Sequence, residues 1–524
     1  MDFAMPKKVV IVGAGPGGLS AAMLLAKAGL DVTVIERMNQ IGGRTGHWKL
    51  DGFTFDIGPT FFLYPRILDE LYAACGKKLL DEVPMVRLDP QYKIVFGKDN
   101  GELECTPDLA RLKAAVAKLC PADAPNVERF MTENRLKLER FRPILEQPFL
   151  DWASLLRWDV MKATPHLRPW LALDDELQRY FSDPRIRLAF SFQSKYLGMS
   201  PFKCPGLFSI LSFLEYEYGV FHPIGGCGAV TANMAKLAQE MGVNIKLGEP
   251  AHEVEFVGSQ AKSVVTEQGI YPADAVVLNA DFAQSVRHLI PDRLRSRWKD
   301  KKIEKKKYSC STFMLYLGIE GRYDDLPHHT IYLADDYLKN IREIDTEHVI
   351  STDPSVYVQN ACITDPSLAP SGMSTLYILA PVTHQHENVR WTPELQQTFR
   401  QRVIQQLSRL GLHDLEKRIR VEKLMTPDTW VDELNIFKGA TFNLAHSLDQ
   451  MLHLRPRNCF EDVDGVYLVG GGTHPGSGLP VIFESARITS RLLLENLGLS
   501  HIMPMTEPQK LSQQFPAPWA SEVA

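Results

Sequence analysis

Residues 7–36 leave this chain little freedom of architecture. Lys7-Lys8-Val9-Val10-Ile11-Val12 is a short, continuous, β-branched run, the pattern of a buried parallel strand. Gly13-Ala14-Gly15-Pro16-Gly17-Gly18 follows at once, with glycines in GxGxxG spacing at Gly13, Gly15 and Gly18. Residues 19–28 are rich in Ala and Leu and read as a helix ended by Gly29. Asp31-Val32-Thr33-Val34-Ile35 is a second strand, closed by Glu36. Each part has a physical reason. Gly13 permits the tight turn, Gly15 lets the backbone approach a pyrophosphate, and Gly18 lets helix pack closely on strand. The helix start offers free N–H groups and a positive dipole end to phosphate. Glu36 is placed to accept hydrogen bonds from a ribose hydroxyl pair, and its charge disfavours a 2′-phosphate. A glycine turn alone is common; strand, turn, helix, strand and terminal acid in one unit predict a dinucleotide site.

The same logic returns near the end of the chain. Gly465-Val466-Tyr467-Leu468-Val469 enters the turn Gly470-Gly471-Gly472, extended by Thr473-His474-Pro475-Gly476-Ser477-Gly478-Leu479-Pro480. Residues 481–497 then read as a helix with Glu484, Arg487 and Arg491 on a polar face. Backbone N–H groups at a helix start, kept clear of side chains, suit a phosphate or a ring edge. Two such sites about 450 residues apart imply a fold that comes back to its ligand at the end.

Ile41-Gly42-Gly43-Arg44-Thr45 follows the second strand, and then Gly52-Phe53-Thr54-Phe55-Asp56-Ile57-Gly58-Pro59-Thr60. This GGR-T loop is similar to that of the flavoprotein amine-oxidase superfamily, where backbone and Arg approach the FAD diphosphate. The GTHPGSGLP segment resembles the signature of the carotenoid (phytoene) desaturase family. Phe221-His222-Pro223-Ile224-Gly225-Gly226, Ala275-Val276-Val277-Leu278-Asn279-Ala280-Asp281 and Leu454-Arg455-Pro456-Arg457-Asn458 also match that family. The likeness runs over about residues 7–497. It implies an α/β fold: a Rossmann-like FAD-binding domain of the GR2 flavoprotein type, interleaved with an α+β substrate domain. It implies FAD as cofactor, held by Gly13, Gly15, Gly18, Glu36, Arg37, Gly43, Arg44, Thr45, Gly58, Pro59, Thr60, Gly471, Gly472, Gly478 and Leu479.

The resemblance further implies removal of two hydrogens from a hydrophobic polyene, with oxygen or a membrane quinone taking the electrons. It implies peripheral contact with the membrane, and the eight scattered cysteines, read as reduced thiols, point to a cytoplasmic protein. Departures concern the substrate. Gly470-Gly471-Gly472 replaces a common GAG-type turn, Thr60-Phe61-Phe62-Leu63-Tyr64-Pro65 is unusually aromatic, and residues 480–489 look closer to members acting on C30 chains or hydroxylated carotenoids.

The FAD domain is expected in three pieces, 7–75, 222–290 and 460–498. The insertions 76–221 and 291–459 form the substrate domain, and 499–524 is a disordered tail with four prolines and little periodicity. The first insertion reads as helical. It interleaves Arg, Trp and Leu around Trp152, Trp158 and Trp170, as expected either of a helix in a membrane interface or of packing around a cavity. Residues 297–307 hold seven basic and two acidic side chains, a solvated face or a contact for anionic head groups.

Lys+Arg 58 against Asp+Glu 63 gives a net charge of −5, which speaks against a nucleic-acid partner. No two of the eight cysteines form a CxxC, so neither a zinc ribbon nor a thioredoxin site is expected, nor any other metal site. The uncharged stretches 9–26 and 466–483 are too rich in Gly and Pro for membrane spans. Glu215 and His474 are the candidate catalytic groups, the first in the aromatic stretch 213–221, the second in the C-terminal turn. Glu217, Asp56 and Arg455 are weaker candidates, a solvated helix edge, a turn acid and a loop holder. Three other functions share parts of this pattern. A polyene isomerase shares all the motifs. A flavin amine oxidase would carry an aromatic cage and a Lys near the flavin, without the THPG turn. A flavin-fold escort of isoprenoid partners would not need complete glycine turns.

Overall fold

The computed structural model describes residues 6–500. Its first sheet is parallel and built from distant parts of the chain. The strands are β1 (Lys8–Val12), β2 (Asp31–Ile35), β3 (Asn244–Lys246), β4 (Ala275–Leu278) and β5 (Val466–Leu468), in the spatial order β3-β2-β1-β4-β5. Register sets Val10 beside Thr33 on one side and Val276 on the other. Helices α1 (Pro16–Lys27), α2 (Cys227–Glu240) and α3 (Leu479–Asn496) cover one face, where Leu19, Val230 and Phe483 join Val9, Ile11 and Val34 in one core. On the other face Val10, Val12 and Leu278 pack with Val254 and Val264 of a three-stranded antiparallel sheet and with Val286 of the helix Phe282–Leu289. Burial on both faces is why β1, β4 and β5 are apolar runs that do not alternate, whereas the edge strand β3, Asn244-Ile245-Lys246, is not.

The second large sheet has seven strands, in the order Ile419–Met425, Ser311–Glu320, Met373–Val382, Val356–Gln359, His329–Leu333, Tyr92–Phe96, Glu102–Cys105. All neighbours are antiparallel except Tyr92–Phe96 beside His329–Leu333. The insertion 76–221 is therefore not simply helical. It supplies two strands to the sheet of the other insertion, and Tyr92, Ile94 and Phe96 point into the core at period two. Residues 109–218 are mostly helical and lie over this end of the sheet, with Phe130, Phe192, Leu207 and Ile210 against Ile331 and Leu333. The opposite face packs on the helix Pro393–Arg409 through Phe399, Val403 and Leu407.

The basic run 297–307 is partly folded in. Trp298 is buried, Arg297 pairs with Glu461 and Lys307 with Asp449. The expected disordered tail lies outside the described residues, save for its first two. Among the described residues no helix is long and apolar enough to cross a membrane, and no group of side chains is arranged to hold a metal ion.

Candidate active site

One cavity of about 830 Å³ runs from the N-terminal glycine turn to the seven-stranded sheet. Gly13, Gly15, Glu36 and Arg37 line its nucleotide end. Gly13 has φ +104°, a conformation that side chains resist. A Cβ on Gly18 would collide with the Gly13 carbonyl oxygen, so Gly18 serves helix packing and does not touch the cavity. α1 begins with Pro16 and no side chain caps it, which leaves its first N–H groups facing the cavity. The Glu36 carboxylate accepts N–H bonds from Ala14 and Met38, both at 2.8 Å. Burial raises it above the usual carboxylate range, against the pull of those two N–H groups. Arg37 is spent elsewhere, donating to the Glu433 carbonyl at 2.7 Å.

The middle of the cavity is walled by both glycine-rich segments. Gly43, Arg44, Thr45, Gly58, Pro59 and Thr60 face Gly471, Gly472, Gly478 and Leu479 across it. α3 also starts beside a proline with no side-chain cap. Two open helix starts thus meet one cavity. The third, at α2, is closed: Asp56 accepts from the Cys227 and Gly228 N–H groups, both at 2.9 Å. Asp56 is a cap across the fold, neither a turn acid nor a base. Arg44 donates to the Thr441 carbonyl at 2.8 Å and is held beside Asp281. Thr45 anchors the loop, since its carbonyl accepts from the Thr231 hydroxyl on α2 at 3.0 Å. Arg455 is fully buried and donates to the Gly471 and Thr473 carbonyls at 2.7 and 3.1 Å, so it holds the C-terminal turn. Burial draws its guanidinium down to about 9.

Beyond Thr60 the walls become aromatic and aliphatic: Phe61, Phe192, Tyr196, Leu207, Ile210 and Leu214. Thr60 Oγ1 lies 2.7 Å from Tyr357 OH, which lies 2.8 Å from His329 Nδ1. His329 stacks on Phe61 at 4.0 Å, and burial holds it neutral, its pKa far below that of a free imidazole. Tyr377 OH donates to the Gly58 carbonyl at 2.6 Å and pins the same loop.

The two candidate catalytic groups are not brought to this wall. Glu215 is fully buried behind it, accepting from Tyr92 OH at 2.9 Å and Gln193 Nε2 at 2.7 Å. Burial pushes its carboxyl up to about 7, although its hydrogen-bond donors oppose that. Glu217, two residues on, forms a forked pair with Arg135 at 2.8 and 2.9 Å. His474 turns away from the cavity. Its Nε2 donates to the Gln147 carbonyl at 3.0 Å, its ring meets Phe149, and burial draws it down to about 3. It is a neutral tether between the C-terminal turn and the helical layer. Glu484 does line the cavity. With Arg487, Glu70 and Arg66 it forms a buried ion-pair chain, so the expected polar face of α3 is internal. Burial raises the Glu484 carboxyl to about 7, against Arg487.

Sequence reasoning missed three groups. Asn279 donates to the Gly13 carbonyl at 3.1 Å and packs beside Gly15 and Gly470, joining the two glycine turns. Tyr357 and Tyr377 sit on strands remote in sequence from any glycine motif. For Asn279 a signal existed, because it directly follows the strand β4.

The residues fit FAD. The uncapped starts of α1 and α3, the glycine turns beside them and Glu36 line one continuous cradle. The profile of the flavin-containing amine oxidoreductase family matches residues 16–494. The chain is 41% identical to a 4,4'-diapophytoene desaturase (4,4'-diapolycopene-forming) of Methylomonas sp, over 94% of this chain and 96% of that one. It is 38% identical to an all-trans-zeta-carotene desaturase of Myxococcus xanthus, over 96% and 97% of the two chains. An oxidoreductase from Methanosarcina mazei has the same fold, with a TM-score of 0.60 at 18% identity over 91% of this chain and 98% of that one. The cradle, the profile and these relatives agree: the chain belongs to the flavin-containing amine oxidoreductase family, in its carotenoid desaturase branch, and its cofactor is FAD.

Proposed function

We propose that this protein desaturates a long isoprenoid polyene, introducing conjugated double bonds. The observation that carries this is the continuity of one cavity, from the cofactor cradle to a wall of Phe, Leu and Ile. The chemistry that FAD supplies when bound is acceptance of a hydride from an allylic CH₂ group. A proton leaves the neighbouring carbon, and the charge between the two steps spreads over the polyene. A strong, fixed base is then unnecessary. The protein's share is to hold the chain straight and to keep water out. Thr60, with Tyr357 and neutral His329 behind it, offers the proton a hydrogen-bonded path off the cavity wall. The Methylomonas relative supports a C30 chain as substrate. An amine oxidase is not favoured: the C-terminal turn reads Thr473-His474-Pro475-Gly476, and the two curated relatives described above are both carotenoid desaturases.

For the membrane we propose a peripheral contact through residues 152–170. Trp152, Trp158 and Trp170 are 68%, 68% and 63% exposed, which decides against core packing. Leu156 and Met161 are exposed beside them, and Lys162 sits over the Trp158 ring at 4.8 Å. An apolar patch edged by cations suits a lipid head-group boundary. The helix Trp158–Leu167 packs on the helix Asn126–Leu145, whose Leu138, Phe141 and Leu145 line the cavity. That contact brings both polyene and quinone within reach; reoxidation of the reduced enzyme by a quinone without oxygen separates the two electron acceptors.

Expression in a pigment-free host supplied with phytoene, its C30 analogue or hydroxylated intermediates tests the main reading. New absorption bands at longer wavelength are expected. A changed isomer with an unchanged number of double bonds would show an isomerase instead.

A further inference from the structure

Past Thr60 the cavity follows one face of the seven-stranded sheet. Tyr357 pairs with Leu379 and Ile331. Two residues along these strands, about 7 Å further, come Ser355, Pro381 and Leu333, all in the cavity wall. Lys195, Tyr337 and Asn340 line the same end. Lys195 Nζ, Tyr337 OH and Asn340 Nδ2 are each buried with no hydrogen-bond partner. The Asn340 amide is oriented by its other atom, because Oδ1 accepts from the Ser355 N–H at 3.3 Å and the Ser355 hydroxyl at 2.9 Å. Burial works against charge on Lys195, yet Tyr337, Asp345 and Cys310 together keep its ammonium above the usual value. Asp345 is the carboxylate whose charge reaches it, yet the ammonium has no hydrogen-bond partner.

Three donors without an acceptor are an unbalanced set beside the apolar wall of Ile331, Leu333, Leu379 and Pro381. A buried donor left unmet is costly, and an ammonium most of all. A purely hydrocarbon chain end would leave all three unmet. We propose that this end of the cavity is a subsite for an acceptor oxygen, a carbonyl or carboxylate at the end of an isoprenoid chain. The enzyme's own substrate is then an end-oxygenated polyene and not a bare hydrocarbon. This rests on the polyene-desaturase reading and narrows the substrate within it.

The test is a pair of binding titrations on the FAD-loaded protein, read by quenching of tryptophan fluorescence. One probe is a C30 polyene hydrocarbon; the other is the same chain ending in an aldehyde or a carboxylate. The oxygenated chain is expected to bind about tenfold tighter or more, the worth of one charge-assisted hydrogen bond. Lys195→Met and Tyr337→Phe should each bring that ratio toward one. Tyr337→Phe removes a single oxygen and guards against a Lys195 variant that fails to fold. Equal affinity of the wild type for both probes, or a ratio untouched by both substitutions, overturns the subsite, water then meeting the donors. Turnover is scored separately. If neither chain gains double bonds, the desaturase reading fails, while the affinity ratio still judges the subsite.

Discussion

Glu215 is a carboxyl whose surroundings favour the proton. Folded, it titrates near 7; in the unfolded chain it returns to about 4.5. Between those values the native state holds a proton that the unfolded state has released. Stability from this source is complete below pH 4.5 and drains away as pH rises to about 7, a loss on the order of 3 kcal/mol. Glu215→Gln should flatten that slope and be the more stable form at pH 8, measured by urea midpoints from pH 5 to 8. A variant that keeps the wild-type slope contradicts the assignment. Gly15→Val places a side chain against Asn279 and into the pyrophosphate path; the purified protein is expected to be colourless and to gain no flavin bands on adding FAD. The glycine turns that line the cavity were legible because backbone forms them, and glycine spacing records backbone. The direction of Glu215 and His474 was not legible, because it is set by Gln193 and by the Gln147 carbonyl, partners that no local pattern announces.

Among the elements, the helix Trp158–Leu167 and the turn before it spend apolar surface on solvent. Replacing Trp152, Trp158 and Trp170 with Ser should change stability little, since the rings are mostly exposed, by about 0.5 kcal/mol or less each. Binding to vesicles containing anionic lipid should weaken by about tenfold or more; co-sedimentation that is unchanged would remove this surface from consideration. The sequence showed the aromatic content of 141–171 but not its exposure, because core and interface helices share the same residues. The strands Tyr92–Phe96 and Glu102–Cys105 carry a period-two pattern that their aromatic, helical surroundings concealed. The burial of Glu484 and Arg487 depends on Arg66 and Glu70 from another helix. A single amphipathic stretch reports which residues share a face, and not what that face meets.

For the whole molecule, the central strands β1 and β4, the edge strand β5 and all three covering helices come from different thirds of the chain, so the parallel sheet and its helical cover close only when all three thirds are present. FAD held in this cradle would meet segments from both ends of the chain and should stabilise the entire fold. At a free concentration a hundredfold above Kd the gain is about 2.7 kcal/mol, seen as one melting transition shifted upward in both flavin absorbance and circular dichroism. Two separate transitions would mean the domains are independent. The placement of β5 and α3 also has a consequence in time. The turn at Gly13 leaves the ribosome about 450 residues before the turn at Gly471, which is roughly 20–90 s of synthesis at ordinary rates. Through that interval half a cofactor site and a sheet with an open edge are exposed beside each other. Neither FAD nor the edge strand can relieve this until translation is nearly over. Overproduction is therefore expected to gain more from shielding of nascent chains than from added flavin, which can rescue only molecules that are already complete.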